Sequence, residues 1–322
     1  MEKLPFEINR KVFVKKEVEI DANLGKYPKD RSVEELLSYG IVNINKSAGP
    51  TSHQIVDFVK SSLEIKKAGH SGTLDPGVTG VLPIALEKAT RITNVLLKAG
   101  KEYVGLMYLH KDVDEERLNE VIKEFVGEVE QLPPLRSAVK REKRKRNVYY
   151  FKILEKEGRN VLFKVGCEAG TYIRRICDDT GKKLGTGAHM KELIRTKVAG
   201  FTNENWCSLQ DLSDAFVLYK GGNEREIRKL IFNVEKAVEF LPKIWVVDSA
   251  VDSICHGANL NVPGISKLNE FNEKEITALM TLKDELIGLG ETRMNSKDVL
   301  EKEKGMAVKT SKVFMERKVY KS

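Results

Sequence analysis

The run EYVGLMYLH, residues 102–110, is apolar at odd and even positions alike. A strand with one face in water would alternate, so this run requires a central strand with neighbours on both sides. Around it the 322-residue chain supplies the neighbours. GIVNINK reads as a strand, as do VYYFKIL and VLFKVGC, which the turn EKEGRN separates, and VLPIAL is a further apolar run. A first helix is expected where Ser32 and Glu35 have capping-box spacing before Leu36 and Leu37, with Gly40 as its stop. A second runs from Ser52 to Ser62 with Ile55, Val56, Phe58 and Val59 on one side. A third, from Asp114 to Phe125, aligns Leu118, Val121 and Ile122 and stops at Gly127. Others follow Gly170 and span 224–240, where Ile227, Leu230, Ile231, Val234 and Val238 line up. The mixture predicts an α+β unit.

Near Leu241-Pro242 the texture changes. KIWVVD is strand-like, a short helix follows with Ser249 as cap and Gly257 as stop, and ITALMTLKDELIGLGETRM reads as a hairpin turning at Lys283 to Glu285. GMAVKTSKVFM adds a strand, so 242–322 is a small, mainly β module. Residues 1–40 are expected to be an N-terminal extension, leaving 41–241 as the larger domain. No apolar run approaches the roughly 20 residues of a membrane span, and the first residues lack a signal-peptide core, so a cytoplasmic location is expected. Cys167, Cys177, Cys207 and Cys255 show neither C-x-x-C spacing nor a nearby His pair, which argues for reduced, partly buried thiols. The net charge is +8, and the stretch from 241 onward balances 13 basic against 12 acidic side chains, so the excess lies before it. That excess favours polyanionic partners. RSAVKREKRKR, 136–146, concentrates seven Lys/Arg around one Glu; it is either a solvated loop or an edge that tracks phosphates.

GHSGTLDPGVTG, 69–80, places four glycines around one carboxylate, Asp75. Asp-Pro-Gly is ordinary turn chemistry, and the spacing matches neither a phosphate-binding loop nor a dinucleotide fingerprint. Three other segments change that reading. KEYVG carries Tyr103 in the central strand, AGTYIRRICDDTG carries Arg174 in the first turns of a helix, and NKSAGPTSH and ATRI flank the glycines.

Together these segments, over residues 40 to 200, resemble the TruB/dyskerin family of RNA pseudouridine synthases. YLHKDV and LRSAVKR are similar to its archaeal and eukaryotic dyskerin branch, and the lack of a lysine-rich tail points to an archaeal member. The resemblance implies an α+β fold: a catalytic domain with a mixed, mainly antiparallel sheet and flanking helices, plus a small β-barrel-like PUA domain over 242–322. It implies isomerisation of uridine to pseudouridine in rRNA, within a guide-directed H/ACA ribonucleoprotein, or at the T-arm uridine of tRNA. A catalytically silent RNA-binding assembly factor is the alternative. The implied partners are tRNA, rRNA, H/ACA guide RNA, small accessory proteins and a kink-turn-binding protein. The reaction is redox-neutral and needs no group donor, so no cofactor and no metal are expected.

By the same resemblance Asp75 is the catalytic carboxylate, Tyr103 the ring stacked on the target base, and Arg174 the partner of the carboxylate. His70, Gly72, Thr73 and Leu74 would border the flipped nucleotide, with Tyr172 and a helical Leu193 as apolar walls. RNA contacts are expected at Lys46, Arg91, Lys140, Arg141, Arg144, Gly257 and Ala258. The residue types suit the chemistry: a planar guanidinium can hold a carboxylate ionised and oriented through two bonds, and an aromatic ring offsets the cost of unstacking a base.

Overall fold

The computed structural model describes residues 3–5, 7–133, 140 and 142–320. These form two compact units, 1–7 with 41–231 and 8–40 with 232–322. By contacts the second division falls at 231/232 rather than at 241/242. Residues 8–40 join the C-terminal module, to whose sheet the strand Val12–Val14 adds itself beside Ile265–Asn269.

In the first unit the sheet runs Gly40–Lys46, Thr79–Leu86, Ala188–Val198, Lys101–Leu109, Asn160–Cys167, Arg144–Glu157, Gly127–Gln131. Every pairing along this path is antiparallel except that of Thr79–Leu86 with Ala188–Val198. Lys101–Leu109 is central as the sequence requires, but only one of its faces is fully covered. Tyr103, Gly105, Met107 and Leu109 are buried, while Val104, Leu106 and Tyr108 are half-buried. On the covered face the helix Ile173–Lys183 packs through Ile173, Ile176 and Cys177, and Glu115–Lys123 through Leu118, Val121 and Ile122.

Two glycines are dictated by close approach. Gly80 has φ +108°, and a Cβ there would lie 2.2 Å from the Arg195 carbonyl oxygen, so the parallel strands could not meet. Gly105 sits under Phe163 and Leu193, with 2.5 Å between a Cβ and the nearer ring.

Several expected elements differ. Phe58 is exposed while Ile55, Val56 and Val59 are buried, because it falls just outside the apolar stripe of its helix. The helix expected over 224–240 is broken into a helix Arg225–Leu230, a strand Ile231–Asn233 and a 3-10 turn Val234–Val238. β-branched Ile231 and aromatic Phe232 suit extended backbone, and the boundary between the units falls there.

The second unit holds a seven-stranded sheet: Val12–Val14, Ile265–Asn269, Lys243–Val246, Ile276–Met280, Leu286–Thr292, Met306–Val313, Leu260–Asn261. The expected hairpin is present, with Asp284 at φ +66° in its turn. The helix Asp248–Cys255 begins at Val247 rather than at a Ser249 cap. All four cysteines are free and buried.

Candidate active site

Asp75 lies on the loop that enters the strand Thr79–Leu86, and buried polar side chains hold the backbone on each side of it. Ser52, in the first turn of its helix, donates through Oγ to the Leu74 carbonyl at 3.2 Å and accepts from the Leu74 amide at 2.9 Å. Lys46 is fully buried, and its Nζ donates to the carbonyls of Ser47, Pro76 and Val78 at 2.9, 3.1 and 2.9 Å. The Gly49 amide donates to the Pro76 carbonyl at 2.9 Å. Asp75 is thus exposed on a loop anchored on each side by the buried Leu74 and Val78. The expectation that Lys46 contacts RNA is corrected: an ammonium enclosed by three carbonyls is not offered to a phosphate.

Arg195 performs the same service one strand away. It pairs in register with Tyr103 on one side and Gly80 on the other. Its buried guanidinium donates to the Val81 carbonyl at 2.8 Å and the Gly72 carbonyl at 3.1 Å. Burial lowers the Arg195 pKa and raises that of Tyr103. One residue therefore connects the glycine loop to the strand of the aromatic ring.

Tyr103 is 8% exposed and shares an apolar cluster with Leu74, Val78 and Leu193. It is a wall fixed in the core rather than a projecting ring. Leu193 lies on the strand Ala188–Val198, not on a helix, and alternation places it on the same face as Arg195.

Arg174 reaches Asp75 from the opposite side, with Nη2 2.8 Å from Oδ2. The side chains are 60% and 61% exposed. An exposed ion pair contributes only ~0–1 kcal/mol to folding. Its worth is orientation, and the exclusion of water has to come with a bound substrate. Tyr172, half-buried, stands at the entry of the Arg174 helix.

His70 is half-buried; its Nδ1 accepts from the Gly72 amide at 3.2 Å, and the His53 ring meets it edge-on at 5.0 Å. Burial, then the neighbouring His53 and Arg195, lower its pKa, which favours the neutral imidazole. Gly72 is buried at φ +130° and Thr73 is exposed.

Arg91 and Lys140 are exposed, and Arg144 is half-buried at the start of a strand. Arg141 and most of LRSAVKR lie outside the described residues. Acidic residues answer several cations of the basic run: Glu142 pairs Lys140, Glu130 pairs Lys143 at 2.7 Å, and Glu128 pairs Lys145 at 2.8 Å. Gly257 and Ala258 are exposed after the helix Asp248–Cys255, with Gly257 at φ +93°.

The fold and site define an RNA-modifying enzyme with an appended PUA module. Residues 60–173 match the TruB family pseudouridylate synthase N-terminal domain and 174–239 the tRNA pseudouridylate synthase B C-terminal domain. Residues 242–314 match the PUA domain and 2–56 the DKCLD domain. Named "Probable tRNA pseudouridine synthase B", a Pyrococcus horikoshii protein is 53% identical over 98% of this chain and 96% of its own length. Its Methanopyrus kandleri namesake is 50% identical over 99% and 95%. Among solved structures, a chain of a Cbf5-Nop10-Gar1 complex superposes with TM-score 0.95 at 52% identity, covering 100% of this chain and 99% of that one. A chain of an H/ACA RNP bound to a substrate RNA containing 2'-deoxyuridine gives 0.92 at 50% identity, with 99% of each covered. The chain belongs to the TruB family of pseudouridylate synthases.

Sequence reasoning missed Ser52, Arg195 and Gln131, which acts at Tyr172 as described below. Only Arg195 left a signal: two residues from Leu193 in a strand, a charge falls on the buried face.

Proposed function

We propose that the protein isomerises uridine to pseudouridine in RNA, with Asp75 acting on the ribose, Arg174 orienting it and Tyr103 as the ring against which the base lies. The observation that carries this is the Asp75–Arg174 pair at 2.8 Å, on a loop braced by buried cations and next to an apolar wall. The reaction breaks the N-glycosidic bond, turns the base and joins C5 to C1′. It needs an ionised carboxylate at the sugar and walls that retain the cleaved base. Arg174 supplies the counter-charge that keeps Asp75 anionic once RNA excludes water. Extruding the base costs a few kcal/mol, and stacking returns roughly 1–3 kcal/mol. His70, Gly72, Thr73, Leu74, Tyr172 and Leu193 line the nucleotide site in this reading.

The enzyme works within an H/ACA ribonucleoprotein, as its solved relatives do, with guide RNA and small accessory proteins as partners. The relatives named for tRNA support a guide-free reaction as well. Arg91, Lys140, Arg141 and Arg144 are the phosphate contacts we assign in the first unit, and Gly257 and Ala258 those of the PUA module. The archaeal source of these relatives supports a cytoplasmic reaction, where the RNA substrates are met. The test is carbodiimide mapping of pseudouridine on tRNA and rRNA transcripts, with and without guide RNA and accessory proteins. Guide-dependent modification of rRNA is expected. Absence of pseudouridine under every condition would refute the enzymatic reading.

A further inference from the structure

The helix that carries Arg174 has an unusual start. Tyr172 stands at the N-cap position of Ile173–Lys183, yet its side chain makes no capping hydrogen bond. Helix starts are ordinarily fixed by a local Ser, Thr, Asp or Asn. Here the service comes from 41 residues away. Gln131, buried at the end of the strand Gly127–Gln131, accepts from the Tyr172 amide through Oε1 at 2.9 Å and donates through Nε2 to the Tyr172 carbonyl at 3.2 Å.

A primary amide can do both at once; a carboxylate could only accept, and asparagine is one methylene too short to reach from the same backbone. The clasp closes on the main chain two residues before Arg174, whose side chain is exposed and has the Asp75 carboxylate as its partner. Nearby, the turn before the helix is held from the neighbouring strand: the Asn147 amide donates to Glu168 Oε2 at 3.0 Å, and the Glu168 amide donates to the Asn147 carbonyl at 2.7 Å.

We infer that Gln131 is a positioning residue for catalysis: by clasping the Tyr172 peptide it sets where the Arg174 guanidinium meets Asp75. The inference rests on the roles proposed above for Asp75 and Arg174. Its effect falls on the chemical step more than on RNA affinity, because Gln131 is buried and Tyr172, which it clasps, is one of six residues assigned to the nucleotide site.

The experiment compares wild type, Gln131→Ala and Gln131→Glu in the assembled complex with guide and substrate RNA. It measures single-turnover rate, substrate affinity and melting temperature, and repeats the set in an Arg174→Lys background. Misplacement of a catalytic partner by an ångström predicts a rate loss of roughly ten- to a hundredfold for Gln131→Ala. Gln131→Glu, which keeps the acceptor, should fall between that variant and wild type. In the Arg174→Lys background Gln131→Ala should cost less than about twofold more, since the two act through one interaction. An unchanged rate for Gln131→Ala overturns the inference, as does an equal loss in both backgrounds or a rate loss matched by lost RNA affinity. Active wild type with any of these results refutes the role of Gln131; inactive wild type refutes the function proposed above.

Discussion

The catalytic loop and the basic run use the same residue types in opposite ways. Beneath the loop, Lys46 and Arg195 are buried and donate to backbone carbonyls. Lys101, also buried, donates to the carbonyls of Leu96, Leu97 and Ala99. Along the run, Lys140, Lys143 and Lys145 are exposed and answered by surface glutamates. The first set fixes geometry; the second, in the function proposed above, sets the field an RNA meets. A cation's place in the fold, more than its identity, decides which task it performs.

The most severe break comes at Lys46. Lys46→Met removes the donor shared by the Ser47, Pro76 and Val78 carbonyls and leaves the buried one, that of Val78, without it, at roughly 1–3 kcal/mol for a group left unpaired, with the loss of the packed side chain added. Melting temperature and turnover should fall sharply while the salt dependence of RNA binding stays unchanged. A stable variant with a shallower salt slope would instead make Lys46 a phosphate contact.

Gly80→Ala tests the same brace through the backbone. Holding alanine at φ +108° costs about 1–3 kcal/mol before the clash with the Arg195 carbonyl is counted. Thermal unfolding should show the loss; a native melting temperature would mean that the two parallel strands can separate at no cost.

The exposed set is probed by neutralising Lys140, Arg141 and Arg144 together. If all three meet phosphates, the slope of log affinity against log salt should decrease by about 2. Glu128→Gln with Glu130→Gln removes the carboxylates beside Lys143 and Lys145 and should strengthen RNA binding modestly. An unchanged slope in the first variant would make the segment a solvated loop.

The last effect is a pH dependence. Burial lowers the Lys101 pKa from 10.5 to about 7. Between these values the unfolded chain binds the proton and the folded one does not, so stability falls as pH drops through the window and levels off below it. Lys101→Met should lose that part of the slope. Equal slopes would mean that the three carbonyls keep the ammonium charged.

The same division explains what the sequence made legible. Local chemistry could be read: the Ser32–Glu35 capping box forms, Asp114 caps its helix, and the hairpin turns at Asp284. So could the Asp75–Arg174 pair, because the family's motifs name both partners. The braces could not. Lys46 meets carbonyls up to 32 residues away, and Gln131 meets a peptide 41 residues away, so neither environment is written next to the residue. A lysine in a basic chain reads as a phosphate contact until three-dimensional neighbours are known. The helix expected over 224–240 failed because apolar spacing alone does not register β-branched Ile231 at a unit boundary.

The central claim is that one exposed carboxylate, held by buried cations and faced by Arg174, performs the isomerisation. Its most direct test is Asp75→Asn, assayed for pseudouridine under single-turnover conditions alongside guide- and substrate-RNA affinity. The account predicts no detectable product with RNA affinity near that of wild type. Product formation at a wild-type rate would contradict it.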